Sequence, residues 1–126
     1  MLKGSVSADR QALTSIGVLE PDGAVYPFEA ILDTGFSGYL TLPAADVQRL
    51  KLIRAGERVF RLANGEPFRF EVYHGRVLWH GRASQVLILQ SETTPLLGMS
   101  LLWGSRVMID ALAGGAVEIE ELTAAE

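Results

Sequence analysis

The sequence predicts an all-β fold, a sandwich or a barrel, with one or two short helices as accessories. Three observations carry this expectation. Apolar segments of strand length recur along the chain, as in Ala12–Leu19 and Gln85–Leu89. Turn chemistry separates them, as in Pro21-Asp22-Gly23 and Asn64-Gly65. The 13 glycines and 5 prolines are spread as punctuation, and no repeat or low-complexity tract interrupts the pattern.

Taken in order, Ala12–Leu19 and Ala24–Leu32 are strands joined by Pro21-Asp22-Gly23, where proline fixes one φ and glycine accepts the left-handed position. Leu40–Leu42 is a short strand. Pro43 suits the opening of a helix through Leu50, with Val47 and Leu50 on its inward face. Arg58–Ala63 and Phe68–Tyr73 form a hairpin through Asn64-Gly65, the strongest short-range hairpin signal. Val77–Trp79 and Gln85–Leu89 pair around His80-Gly81-Arg82. A short helix follows Gly98 over Met99–Trp103. Arg106–Asp110 and Ala116–Glu120, split by Gly114-Gly115, are the last two strands.

A length of 126 residues fits one domain, 1–126, large enough to bury a true core. With 48% hydrophobic and 21% charged residues the chain reads as globular, not disordered. Its net charge of −4 carries no basic footprint, so no nucleic-acid partner is expected. The absence of cysteine removes disulfides, thiolate nucleophiles and thiolate zinc sites. No apolar run approaches the roughly 20 residues of a membrane span, and the first ten residues lack the apolar core of a secretory signal. The expectation is a soluble, cytoplasmic protein without a membrane partner.

One segment carries chemistry: Ala30-Ile31-Leu32-Asp33-Thr34-Gly35-Phe36-Ser37-Gly38. A carboxylate follows directly on an apolar strand, so its backbone is fixed. Gly35 lets another chain approach closely, and the hydroxyls of Thr34 and Ser37 can orient the acid. Asp-Thr-Gly alone arises by chance in about one chain in 40 of this length, given average residue usage. A turn that merely ends a strand is the plain alternative.

The surroundings of that tripeptide resemble the single-domain, retropepsin-like aspartic proteases of retroviruses and their cellular and prokaryotic relatives. The matching residues are Ile31-Leu32-Asp33-Thr34-Gly35 and Pro95-Leu96-Leu97-Gly98-Met99-Ser100-Leu101-Leu102. Gly98 lies 65 positions beyond Asp33, and the Asn64-Gly65 hairpin falls between them, where the family places its flap. The resemblance spans roughly Gly17 to Trp103. It implies a closed, six-stranded acid-protease barrel with a flap hairpin, and an endopeptidase using neither metal nor organic cofactor.

Such a site needs two carboxylates sharing one proton around a water, because two neighbouring carboxylates cannot both ionise cheaply. Asp9, Asp22, Asp46 and Asp110 lack the tripeptide's continuation, so the resemblance implies a homodimer in which each copy supplies Asp33. It further implies that Thr34 bonds across the axis, that the Gly35 carbonyl meets a peptide substrate, and that Leu97 and Gly98 support the active loop. Ala63, Asn64 and Gly65 would close over the substrate, and Leu32, Phe36 and flap residues would make apolar cleft walls.

Two departures stand out. Phe36 replaces the small residue of the better-known enzymes. Ser37 and Met99 replace an ion-paired Asp and Arg of the retroviral dimer, which leaves the interface to Thr34 and to strand pairing by the terminal segments. These departures motivate a rival reading, a catalytically weak peptide- or protein-binding module; a dimerisation domain in which Asp33 only caps a turn is a third. Elsewhere, His74 and His80 read as partly exposed histidines rather than metal ligands. Lys51, Arg54, Arg58 and Arg61 read as a solvated face. Trp79 and Trp103 read as core, and the acidic Glu118–Glu126 as an edge strand with a frayed end.

Overall fold

The computed structural model of the chain describes residues 1–61 and 63–123. Ten strands and two short helices succeed one another: β1 Leu2–Val6, β2 Ala12–Leu19, β3 Val25–Leu32, β4 Leu40–Leu42, α1 Ala44–Arg49, β5 Ile53–Arg61, β6 Pro67–Trp79, β7 Arg82–Gln90, β8 Leu96–Leu97, α2 Met99–Leu102, β9 Ser105–Ile109 and β10 Ala116–Glu121. The all-β expectation holds.

The strands join in the order β5-β6-β7-β4-β8-β3-β2-β1-β10-β9, and an additional β6–β2 pairing joins Gly17 to Leu78 and Val18 to Val77. That pairing closes β2, β3, β8, β4, β7 and β6 into a six-stranded ring. Closure turns their inward residues into one core: Ile16, Val18, Leu40, Val77, Ile88 and Leu97 are all at most 2% exposed. Alternation along β2 shows the logic, with Thr14, Ile16 and Val18 buried between more exposed neighbours. Two segments hang from the ring. The β5–β6 hairpin projects from one side, and β1, β10 and β9 continue the sheet on the other.

Several elements differ from the sequence expectation. Phe68–Tyr73 and Val77–Trp79 are one strand, β6, which runs 13 residues without a break. Gly75 lies inside it and lets β7 approach, since a Cβ there would lie 2.4 Å from Cδ1 of Ile88. Two strands were not anticipated. β1 is short and half polar, and β8 has only two residues, wedged between β3 and β4. The acidic C-terminal strand β10 is not an edge: it lies between β1 and β9, and Val117 and Ile119 are fully buried. Its expected frayed end, Ala124–Glu126, lies outside the described residues. Trp79 is core, but Trp103 is 81% exposed, because α2 ends at Leu102 and turns the next side chain outward. α1 follows Pro43 as expected, with Val47 and Leu50 buried.

Both terminal strands are paired on both sides within the chain, β1 with β2 and β10, and β10 with β1 and β9. The expected use of terminal strands to pair with a second copy is therefore not available to them. Among the described residues, no helix is long and apolar enough to cross a membrane.

Candidate functional site

Asp33 sits one residue beyond β3, where the ring fixes its backbone from below. β3 pairs in parallel with β8, Ile31 with Leu96 and Leu32 with Leu97. The ladder continues past the strand end, as the Asp33 N–H donates to the Leu97 carbonyl at 2.9 Å. The chain then turns tightly: the Phe36 N–H donates to the Asp33 carbonyl at 3.1 Å, and the Gly35 N–H donates to Oδ1 of Asp33 at 2.9 Å. The carboxylate is thus oriented by the turn it belongs to. Asp33 is half-buried, whereas Thr34 and Gly35 are exposed at the apex.

Gly98 explains why the second motif must accompany the first. Its N–H donates to the Tyr39 carbonyl at 2.9 Å, while Met99 and Ser100 N–H groups donate to the carbonyls of Phe36 and Gly38 at 2.8 and 3.1 Å. The Ser100 hydroxyl donates to the Ser37 carbonyl. This backbone contact is so close that a Cβ at Gly98 would lie 2.3 Å from the Gly38 oxygen and 2.6 Å from the Phe36 oxygen. Only glycine fits. Leu97, fully buried, anchors the same point from inside the ring. Thr41, also buried, accepts the Leu96 N–H on its hydroxyl at 2.9 Å, and among the described residues no buried side-chain polar atom lacks a hydrogen-bond partner.

The Phe36 ring covers Gly38, where a Cβ would come within 2.4 Å of it, and faces Phe60 of β5 with ring centroids 6.1 Å apart. Phe60 in turn meets Phe70 at 5.7 Å, and Phe70 meets Phe68 at 4.7 Å. An aromatic row therefore runs from the Asp33 turn into the β5–β6 hairpin. Phe60 lines a pocket of about 120 Å³ together with Ser37, Gly38, Arg58, Leu87 and Leu89. Sequence reading had missed Phe60, Phe68 and Phe70. The available signal was their placement on both sides of Asn64-Gly65, which cross-strand register brings together, Phe60 opposite Phe68.

Ala63, Asn64 and Gly65 lie exposed in the connection between β5 and β6. Asn64 Oδ1 accepts the Glu66 N–H at 3.0 Å, Arg61 donates to the Gly65 carbonyl at 3.0 Å, and Gly65 takes φ +85°. The hairpin root is braced by Arg54, which pairs with Glu71 and Glu57. The hydrogen bond from Arg54 holds the Glu71 carboxyl below its ordinary range. Ser37 and Met99, at the positions of the absent ion pair, line one cleft with Tyr39 and Trp103. Leu32 lines a different cleft, with Ile109 and Leu112.

His74 is exposed, while Nε2 of His80 lies 2.8 Å from the Ser105 hydroxyl. Among the described residues, no three His, Cys, Asp or Glu side chains cluster as a metal site would require.

A six-stranded ring with a turn of this construction defines the retropepsin-like acid-protease fold. A solved structure agrees with that assignment: EIAV protease, a retroviral protease, in complex with the inhibitor HBY-793. The match has a TM-score of 0.52 and 20% identity, and covers 75% of this chain and 88% of the viral one. No protein-family model and no curated protein matches the sequence.

Proposed function

We propose that the chain is an aspartic endopeptidase whose dyad is formed by Asp33 of two copies. The observation that carries this reading is the Asp33 turn itself: a carboxylate fixed by the Leu97 carbonyl, oriented by the Gly35 N–H and backed by a position that only glycine can occupy. The fold shared with a retroviral protease supports it.

In this reading the ionised Asp33 takes a proton from water as oxygen attacks the scissile carbonyl carbon. The protonated Asp33 of the other copy donates to the carbonyl oxygen. Collapse of the tetrahedral species breaks the C–N bond: the proton held by the first carboxyl passes to the leaving nitrogen, and one hydroxyl returns its proton to the second carboxylate as the carbonyl reforms. Thr34, exposed beside Asp33, bonds to the second copy's turn. Ala63, Asn64 and Gly65 close over an extended peptide whose backbone pairs with the hairpin and with Gly35. Phe60, Leu87 and Leu89 give the cleft its preference for apolar side chains.

Asp33→Asn tests the reading. Turnover of an unstructured protein substrate should fall by about 10⁴-fold or more while melting temperature and association state stay unchanged, because amide and carboxyl are nearly isosteric. Unaltered turnover in that variant removes the carboxylate from the chemistry. The contact between Phe36 and Phe60 favours a second reading, a peptide-gripping module, since it spends part of the cleft's apolar surface on an internal contact. In that case Asp33→Asn leaves peptide affinity intact and there is no turnover to lose.

A further inference from the structure

We infer that the cleft on the outer face of β6, at the root of the β5–β6 hairpin, binds an extended polypeptide segment that carries carboxylates on alternate residues. None of the residues lining it belongs to the Asp33 turn or to the hairpin tip, so the inference stands apart from the Asp33 reading.

The cleft has a volume of about 310 Å³. Leu19, Leu52 and Ile53 supply apolar lining, while Lys51, His74 and Arg76 supply hydrogen-bond donors. No acidic side chain lines it, although the chain as a whole carries a net charge of −4. The cations are also uncommitted. Among the described residues neither Lys51 nor Arg76 makes a salt bridge, in contrast to Arg54, which pairs with Glu57 and Glu71. Arg76 makes one long hydrogen bond, from Nη2 to the Glu20 carbonyl at 3.4 Å, which leaves most of its guanidinium donors for a ligand. Ile53, 71% exposed, adds an apolar side chain held out in water.

Lys51 holds its place against backbone preference. It follows α1 with φ +56°, the left-handed position that ends many helices and favours glycine. A lysine there costs stability, and the cleft gains its ammonium group.

Spacing selects the occupant. Register sets His74 beside Ile53 and Arg76 beside Gln85, and alternation along β6 puts these four on one face. His74 and Arg76 stand two residues apart on a strand, so their side chains leave the backbone about 7 Å from each other. Carboxylates on alternate residues of an extended peptide repeat at the same interval. Donors built for one small anion would instead converge on a point. Lys51, which reaches the cleft from the turn after α1, adds a third contact.

Fluorescence anisotropy tests this, with the full chain titrated into labelled short peptides containing Leu-Glu-Ala-Glu-Leu, Leu-Gln-Ala-Gln-Leu or Leu-Lys-Ala-Lys-Leu. Wild type should bind the acidic peptide about tenfold more tightly than the glutamine peptide. Lys51→Gly and Arg76→Gln should each weaken the acidic peptide about fivefold, as expected for a partly exposed charge pair. Lys51→Gly should melt no lower than wild type, because glycine suits that backbone. Arg76→Glu should prefer the lysine peptide. Lys3→Gln, exposed on β1, and Asp33→Asn should bind as wild type does; a loss in either would place the peptide elsewhere and overturn the inference. Equal affinity for the acidic and glutamine peptides overturns it, as does acidic-peptide binding that survives both Lys51→Gly and Arg76→Gln. Inorganic phosphate should displace the peptide no better than chloride at equal ionic strength. Displacement by phosphate alone would reveal a point-anion site and overturn the extended occupant.

Discussion

Gly98 shows how much of the site rests on one missing side chain. Its Cα sits against the carbonyls of Phe36 and Gly38, which are the far side of the Asp33 turn. Gly98→Ala must push that turn outward or tear α2 from it. We expect a loss of about 3 kcal/mol, at the upper end of overpacking effects, read as a shift in denaturant midpoint, with turnover falling more than stability. A variant as stable as wild type would show that the turn is free to shift. At this scale the sequence was informative where chemistry is local. Asp33, Thr34 and Gly35 announce a tight turn because three adjacent residues make it. The reason for Gly98 was not readable, since it depends on atoms some 60 positions away. Trp103 was misjudged for a similar reason: apolar neighbours in sequence did not reveal that α2 stops at Leu102.

At the scale of elements, ion pairs fasten the peripheral strands to the ring. Arg82, opening β7, pairs with Glu121 at the end of β10. Its hydrogen bond holds the Glu121 carboxyl below the ordinary range, with charge attraction adding to the effect. A depressed carboxyl favours the folded state above the unfolded group's pKa, and the advantage disappears as pH falls through the folded value. Glu121→Gln should therefore melt slightly below wild type at neutral pH, and the two curves should merge in acid, once the folded-state carboxyl is protonated. The effect should be small because both side chains are exposed. A gap that persists in acid would assign the loss to packing. The same reasoning applies to Arg54 and Glu71 at the hairpin root. Element boundaries were legible where turn residues mark them, as at Leu40–Leu42 and Gly114-Gly115. They were not where tertiary contact decides: Gly75 sits inside a continuous strand because Ile88 needs its space, and β8 exists only because β3 and β4 both pair with it.

For the whole molecule, the decisive event is the pairing of Val18 with Val77, which closes the ring between residues far apart in sequence. Contacts of that kind delay folding, because the loop entropy is lost before the contact returns anything. The periodicities of β2 and β6 are each visible in sequence, but their mutual partnership is not, since alternation shows which face is apolar and not which strand it meets. The fold class was legible; closure came through resemblance to a family.

The unequal fates of the two tryptophans give the chain a pair of optical reporters. Trp79, 7% exposed, emits from the barrel interior, and Trp103, 81% exposed, emits from water. Iodide should quench only one component of native fluorescence, and denaturation should red-shift the other. Replacing Trp103 by Phe should leave a protein whose emission is almost unquenchable until it unfolds; quenching that survives this exchange would mean that solvent reaches the indole inside the ring.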